Sequence, residues 1–251
     1  MKVLLTNDDG IHAPGLQALY QAFRRRHSVW VVAPDRERSA VAHGITLHNP
    51  LRAARIRVNG GFEGYGVDGK PADCIKLGLT SLLRERPDVV VSGINPGANV
   101  GISINYSGTV AAAREASLFG LPALAVSING FEIEDYDGAA GYAEKLARRI
   151  VADPLPFGTI LNVNLPNIPV EKVRGIRITR QGIDRLSREY YEKRLDPRNR
   201  AYHWLGSDER IFGEDLTIDG DAVCHNYISI TPIQCDVTDH GMIERLKSWD
   251  V

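Results

Sequence analysis

Lys2-Val-Leu-Leu-Thr-Asn-Asp-Asp-Gly10 joins a short apolar run to two adjacent carboxylates. Val3 to Leu5 reads as a strand buried on both faces, the kind found in parallel sheets. The run stops at Thr6, and Asp8 and Asp9 follow with Gly10 behind them. Neighbouring strand residues point to opposite faces. Two carboxylates serving one site therefore require the chain to turn, which Gly10 permits. An ordinary Asp-Gly turn would carry the same letters. The functional reading gains weight because the next strands also end in small, oxygen-bearing side chains.

Working outward, Pro14-Gly15 opens a helix in which Leu16, Leu19, Tyr20 and Phe23 form one apolar stripe. Val29 to Val32 is a second buried strand, so the first thirty-odd residues form a βαβ unit. Asp35 to Gly44 is a polar loop at the same sheet end as Asp8. Short β-like runs follow at Ile45–Leu47, Arg55–Val58 and Tyr65–Val67. Pro71 opens a helix with Ile75, Leu79, Leu82 and Leu83 on one face. Asp88 to Val91 is a third buried strand, and Ser92 to Gly101 reads as a Gly- and Asn-rich loop that lets backbone approach a ligand. An alanine-rich helix over Val110 to Phe119 follows, capped by Ser107 or Thr109. Strands at Pro122–Ile128 and Ile160–Leu165 flank a helix at Ala139–Val151. The alternation predicts a doubly wound, mostly parallel α/β sheet over residues 1–165.

From Pro166 the pattern changes. Gly175–Thr179 and Tyr227–Thr231 are β-like, Arg185–Arg200 is dense in Arg, Glu and Tyr, and Ile243–Trp249 suggests a terminal helix. Residues 166–251 read as a β-hairpin or arm extension rather than an independent domain. Tyr190, Tyr191, Tyr202 and Trp204 suit an interface with the core or another subunit.

Apolar residues make up 43% and charged residues 24%, with a formal net charge of −1, so no general attraction to nucleic acid or anionic membrane is expected. Arg24 to Arg26 reads as a solvated helix end. No apolar stretch reaches the roughly 18 residues of a membrane helix, and Met1 leads straight into a strand with no signal-peptide pattern. Cys74, Cys224 and Cys235 are odd in number and widely spaced, which suggests reduced thiols in a cytoplasmic protein.

Ligands of open α/β sheets bind outside the carboxyl ends of the strands. Here those ends carry Asp8, Asp9, Ser39 and Asn95, an all-oxygen donor set suited to Mg²⁺, Mn²⁺ or Ca²⁺. Ser39 could equally cap its loop, and Asn95 could equally be a turn residue. Asp8, Asp9 and Asn95 are the candidate catalytic residues. Ser107, Gly108 and Thr109 open a helix whose free N–H groups suit a phosphate, and His43 joins them as a candidate substrate contact. His12 and His43 could also give a proton to a leaving oxygen, and Arg36 and Arg38 could pair with phosphate or serve as surface charge. The chemistry expected is phosphoester hydrolysis in which a Lewis-acid cation activates water.

Several blocks then carry a resemblance. They are T-N-D-D-G-I-x-A-x-G at Thr6–Gly15, A-P-D-R-x-x-S at Ala33–Ser39, D-G-x-P-A-D-C at Asp68–Cys74 and S-G-I-N-x-G-x-N-x-G at Ser92–Gly101. Y-S-G-T-V at Tyr106–Val110, N-V-N-L-P at Asn162–Pro166 and T-R-Q-G at Thr179–Gly182 continue the series. In this order they resemble the SurE family, the stationary-phase survival protein E nucleotidases. The resemblance implies a Rossmann-like core and a metal-dependent hydrolase of nucleoside 5′-monophosphates, with 3′-monophosphates and short polyphosphate as further substrates. It implies Asp8, Asp9, Ser39 and Asn95 as metal ligands, with one Mg²⁺ or Mn²⁺ per subunit expected. It also implies a homo-oligomer, dimer or tetramer, built through the C-terminal extension. Ile102-Ser103-Ile104-Asn105 stands where the family usually has acidic residues, Lys70 where it commonly has Thr, and Pro96 beside Asn95; none removes a ligand.

Other readings are a nucleotide-binding or sensing module without catalysis and a haloacid-dehalogenase-type phosphatase. The first gains nothing from two anions unless a cation neutralises them. The second needs Asp-x-Asp rather than adjacent acids, and no G-x-G-x-x-G follows the first strand to support a dehydrogenase.

Overall fold

A computed structural model describes residues 1–58, 61–183, 189–207 and 212–249. Part of the Arg- and Tyr-rich stretch at 185–200 therefore lies outside the described residues.

The central strands are β1 (Lys2–Thr6), β2 (Ser28–Pro34), β3 (Ala53–Val58), β4 (Phe62–Val67), β5 (Val89–Pro96), β6 (Ala123–Asn129) and β7 (Thr159–Pro166). Together with β8 (Gly175–Ile178) and a late strand, β11 (Tyr227–Gln234), they form one sheet in the order β3-β4-β2-β1-β5-β6-β7-β11-β8. The run from β4 to β7 is parallel throughout. β3 and β11 pair antiparallel with β4 and β7, and β8 runs parallel to β11.

The period-two alternation of β1 divides the core. Val3 and Leu5 join the apolar cluster under α1 (Pro14–Phe23) and α4 (Tyr136–Ala152). Leu4 points into the opposite cluster, under α2 (Pro71–Leu77) and α3 (Gly108–Leu118). Helices thus cover both faces, the doubly wound, mostly parallel α/β arrangement that the alternation predicts. No helix among the described residues is long and apolar enough to cross a membrane.

Several local expectations are corrected. β5 does not stop at Val91 but runs on to Pro96, with a register shift between Ser92 and Asn95. Ser92 and Gly93 disguise it, although Ser92 and Ile94 are fully buried. The bulge carries Asn95 further out while keeping it paired with Ser127 of β6. Ile45–Leu47 forms no strand, and Leu47 is exposed. The helix after Pro71 passes at Gly78–Leu82 into a wider π-type turn, which still sets Leu79, Leu82 and Leu83 against the core. α4 starts ahead of Ala139 because the Asp135 side chain caps it through the Gly138 N–H at 2.7 Å.

Beyond Pro166, β8 and β11 complete the main sheet, with α5 (Asp219–Cys224) between them in sequence. Ile228 and Ile230 of β11 are buried, which draws this strand onto the edge of β7. The arm-like part is the hairpin of β9 (Glu189–Leu195) and β10 (Ala201–Ser207), a separate two-stranded antiparallel sheet. Tyr190, Tyr191, Tyr202 and Trp204 are exposed on it. The terminal helix, α6, spans His240–Leu246, earlier than its apolar residues suggest, because the Asp239 side chain caps it.

Candidate active site

The strand order reverses at β1, which has β2 on one side and β5 on the other. Connections diverge there, and a crevice opens beyond the strand ends. A cavity of about 330 Å³ fills it, with Asp8, Asp9, Ser39, Asn95 and Ser107 in its lining. That volume lies within the ~300–1,000 Å³ range of small-molecule sites.

The turn after β1 is stapled by Asn7, whose Nδ2 donates to the Gly10 carbonyl at 2.9 Å while its Oδ1 accepts from the Gly10 N–H at 3.2 Å. Gly10 has φ +100°, and a Cβ there would press on the Arg36 backbone at 3.0 Å. The β2 loop is tied to the same turn: Arg38 N–H donates to the Asp8 carbonyl at 2.7 Å, and Ile11 N–H to the Pro34 carbonyl at 2.8 Å. The turn that carries the two adjacent acids is therefore fixed by neutral groups, the backbone and the Asn7 side chain. Among the described residues, no Lys or Arg lowers the pKa of either.

Asp8 is buried, and its Oδ1 accepts from the Thr109 hydroxyl. Burial still raises its pKa, more than the Thr109 hydrogen bond lowers it. Asp9 is pushed to about 7, first by burial, then by the charges of Asp8 and Glu37. Its Oδ2 is buried without a hydrogen-bond partner. Such an orphaned anionic oxygen is costly unless something positive meets it.

The Ser39 hydroxyl donates to Glu37 Oε1 at 2.6 Å. Asn95 Nδ2 donates to the carbonyls of Gly97 and Pro96, at 2.6 and 3.2 Å. With its N–H groups spent on backbone, the polar atom this amide has left to offer is Oδ1, an acceptor. The four side chains expected as ligands thus line one cavity, and their donors are hard oxygens suited to Mg²⁺ or Mn²⁺. Among the described residues, no three His, Cys, Asp or Glu side chains converge as a metal group. The fit rests instead on two carboxylates, a hydroxyl and an amide.

The N-terminus of α3 closes the site. Ser107 is its N-cap, accepting from Val110 N–H at 3.1 Å. Thr109 is not a cap; its hydroxyl is spent on Asp8. Gly108 is packed so closely that a Cβ would stand 2.8 Å from Asp8 Cβ and 2.9 Å from its Oδ2. Only glycine lets the helix start come this near the carboxylate.

His43 is not brought here. Its Nε2 lies 2.8 Å from Glu115 Oε2, and Lys76 Nζ holds Glu115 Oε1 at 2.9 Å. The buried carboxylate of Glu115 bonds the ring through Nε2, and His43 does not line the Asp8 cavity. Arg36 and Arg38 line a different cavity, and Arg38 Nη2 donates to the Asp68 carbonyl at 2.8 Å. His12 is exposed and does not line the Asp8 cavity.

Other residues that line or support the site were given no role by sequence reasoning. Glu37 lines the cavity from within the Asp35–Gly44 loop, disguised by flanking arginines. Asn99 anchors the loop after β5: its N–H donates to Asn164 Oδ1 at 2.8 Å and its Nδ2 to Ser127 Oγ at 2.8 Å. Asn162 and Asn164 return bonds to its carbonyl. Asp219, far along the chain, accepts from Gly101 N–H at 2.8 Å and Gly182 N–H at 3.0 Å. The N-V-N spacing of Asn162 and Asn164 was the one available signal, since alternate strand residues share a face.

Comparison with known proteins gives a consistent result. The family model described as "Survival protein SurE" matches residues 3–188. A protein of Desulfatibacillum aliphaticivorans named 5′-nucleotidase SurE is 53% identical over 251 residues, covering 100% of this chain and 99% of that protein. One of the same name from Geobacter sp. (strain M21) is 48% identical, with 100% of both chains covered. The crystal structure of a SurE protein from Aquifex aeolicus superposes with a TM-score of 0.85 at 37% identity, covering 98% of each chain.

Proposed function

Since this chain belongs to the SurE family, we propose that it hydrolyses nucleoside 5′-monophosphates to nucleoside and phosphate at the cavity beyond β1 and β5. One divalent cation, Mg²⁺ or Mn²⁺, is held there by Asp8, Asp9, Ser39 and Asn95. The observation that carries this reading is the pair of adjacent acids on one fixed turn, with the buried Asp9 Oδ2 lacking a hydrogen-bond partner. A bound cation supplies Lewis acidity toward a phosphate oxygen and makes water a better nucleophile.

The protein's own groups supply position. Thr109 orients the Asp8 carboxylate through its hydroxyl. The N–H groups at the start of α3, beside Ser107 and Gly108, face orphan status within the helix and suit the anionic phosphate. Asn95, its amide nitrogen restrained, presents Oδ1 without searching rotamers. Nucleoside 3′-monophosphates and short polyphosphate belong to the same reading, because the phosphate end is what these groups address. Assembly into a dimer or tetramer through the aromatic β9–β10 hairpin belongs to it as well.

The test is phosphate release from AMP and a nucleotide panel. Chelation with EDTA is expected to abolish release, and added Mn²⁺ or Mg²⁺ to restore it. Full activity in chelator overturns the reading; nucleotide binding without phosphate release favours a sensing module instead.

A further inference from the structure

Phe131 is 88% exposed, the most exposed of the large apolar side chains described, yet it lines the same cavity as Asp8, Asp9 and Asn95. Nothing in the phosphate chemistry uses it. An isolated exposed apolar residue needs no explanation, but this one sits on a built support.

The loop bearing it, between β6 and α4, is strapped by Asn167 from the end of β7. Asn167 Nδ2 donates to the Glu132 carbonyl at 2.7 Å, and its Oδ1 accepts from Glu134 N–H at 3.0 Å. Gly130 N–H donates to the Ile128 carbonyl at 2.9 Å, so the loop is tied on both sides of Phe131. Across the cavity wall, a Cβ on Gly97 would stand 3.5 Å from Phe131 Cε1 and 3.8 Å from Asn95 Nδ2. Ring edge and the Asn95 amide therefore flank the same point, with Gly97 between them. Tyr106, half-exposed, is a second aromatic of the same lining.

We infer that Phe131 is the stacking platform for the base of the substrate. This rests on the nucleotidase reading above. The cation site and the α3 N-terminus address phosphate, which every phosphoester has. A flat apolar ring in the same cavity as the carboxylates addresses what distinguishes a nucleotide from a sugar phosphate. Every base has a π-face, so the contact favours nucleotides as a class without selecting among bases.

The experiment compares AMP with ribose 5-phosphate, using wild type, Phe131→Ala and Phe131→Trp in Mn²⁺. Phe131→Ala is expected to raise the KM for AMP about tenfold, with kcat within about twofold and the KM for ribose 5-phosphate unmoved. Phe131→Trp is expected to restore the AMP value. Equal KM changes for both substrates, or no change for either, overturn the inference, the first because it indicates a structural role. If wild type cleaves neither substrate, the phosphatase reading fails separately. Calorimetric binding of AMP to wild type and Phe131→Ala then still decides the stacking contact, with equal affinities counting against it.

Discussion

Two buried carboxylate centres of this molecule, the Asp8–Asp9 pair beyond β1 and Glu115 on α3, are treated in opposite ways. Glu115 is met by His43 at 2.8 Å and Lys76 at 2.9 Å. Burial pushes its pKa up, but these partners outweigh burial and hold it below the ordinary carboxylate value. Asp8 and Asp9 receive no such cation among the described residues, and both are raised. A carboxylate used for structure is given its partners by the chain itself. Asp8 and Asp9, with one orphaned oxygen, carry instead a cost in stability of the kind that functional sites commonly carry.

The comparison breaks most visibly at Asp8. Asp8→Asn keeps the shape but removes a charge from the proposed cation site, and AMP hydrolysis in Mn²⁺ is expected to fall by about a thousandfold, roughly 4 kcal/mol of transition-state stabilisation. Steady-state phosphate release measures it; a loss under tenfold would mean that the pair is not the cation site.

A smaller, sharper contrast comes from stability without metal. Asp9→Asn removes a buried, unpaired charge and is expected to raise the melting temperature in EDTA by about 2–4 °C, the equivalent of roughly 1 kcal/mol in a chain of this size. Glu115→Gln weakens a paired charge and is expected to lower it by a similar amount. Thermal melts of both variants settle the point, because shifts of the same sign would erase the distinction between the two centres.

A further contrast lies in the pH profile of the metal-free protein. A folded-state pKa raised above the unfolded one means that the folded state holds more protons, so stability falls as pH rises through the interval. For Asp9 that interval runs from 3.8 to about 7. Glu115 acts with opposite sign: its contribution is full above its ordinary value of 4.5 and is lost as pH falls through its lowered pKa. Denaturant midpoints in EDTA are therefore expected to decline between pH 5 and 7 and to level off by pH 8, and saturating Mn²⁺ to abolish the decline. A rise toward pH 8 in EDTA would contradict the raised pKa of Asp9.

Much of the site was legible because its residues stand where buried strands end. The apolar run Val3–Leu5 and the Gly10 turn located Asp8 and Asp9, and the same logic reached Ser39 and Asn95. The length of β5 was hidden, since Ser92 and Gly93 look like loop residues until burial between β1 and β6 makes them strand. His43 was assigned to phosphate on residue type, yet a buried acid 72 positions away claims it. Thr109 was readable as a cap or a phosphate contact; its bond to Asp8 spans 101 positions and has no local signature.

By itself, the sequence determined the layered fold, the sheet end at which Asp8, Asp9, Ser39 and Asn95 gather and the oxygen character of those side chains. These follow from periodicity and residue type, which act over a few neighbouring positions. Only the tertiary structure decided which acids go unpaired, which histidine is taken, how β8 and β11 rejoin the sheet, and that Phe131 overlooks the cleft. Those depend on which distant groups are brought together, and on the loss of water around them. Desolvation raises Asp9, and its Oδ2 is buried with no hydrogen-bond partner.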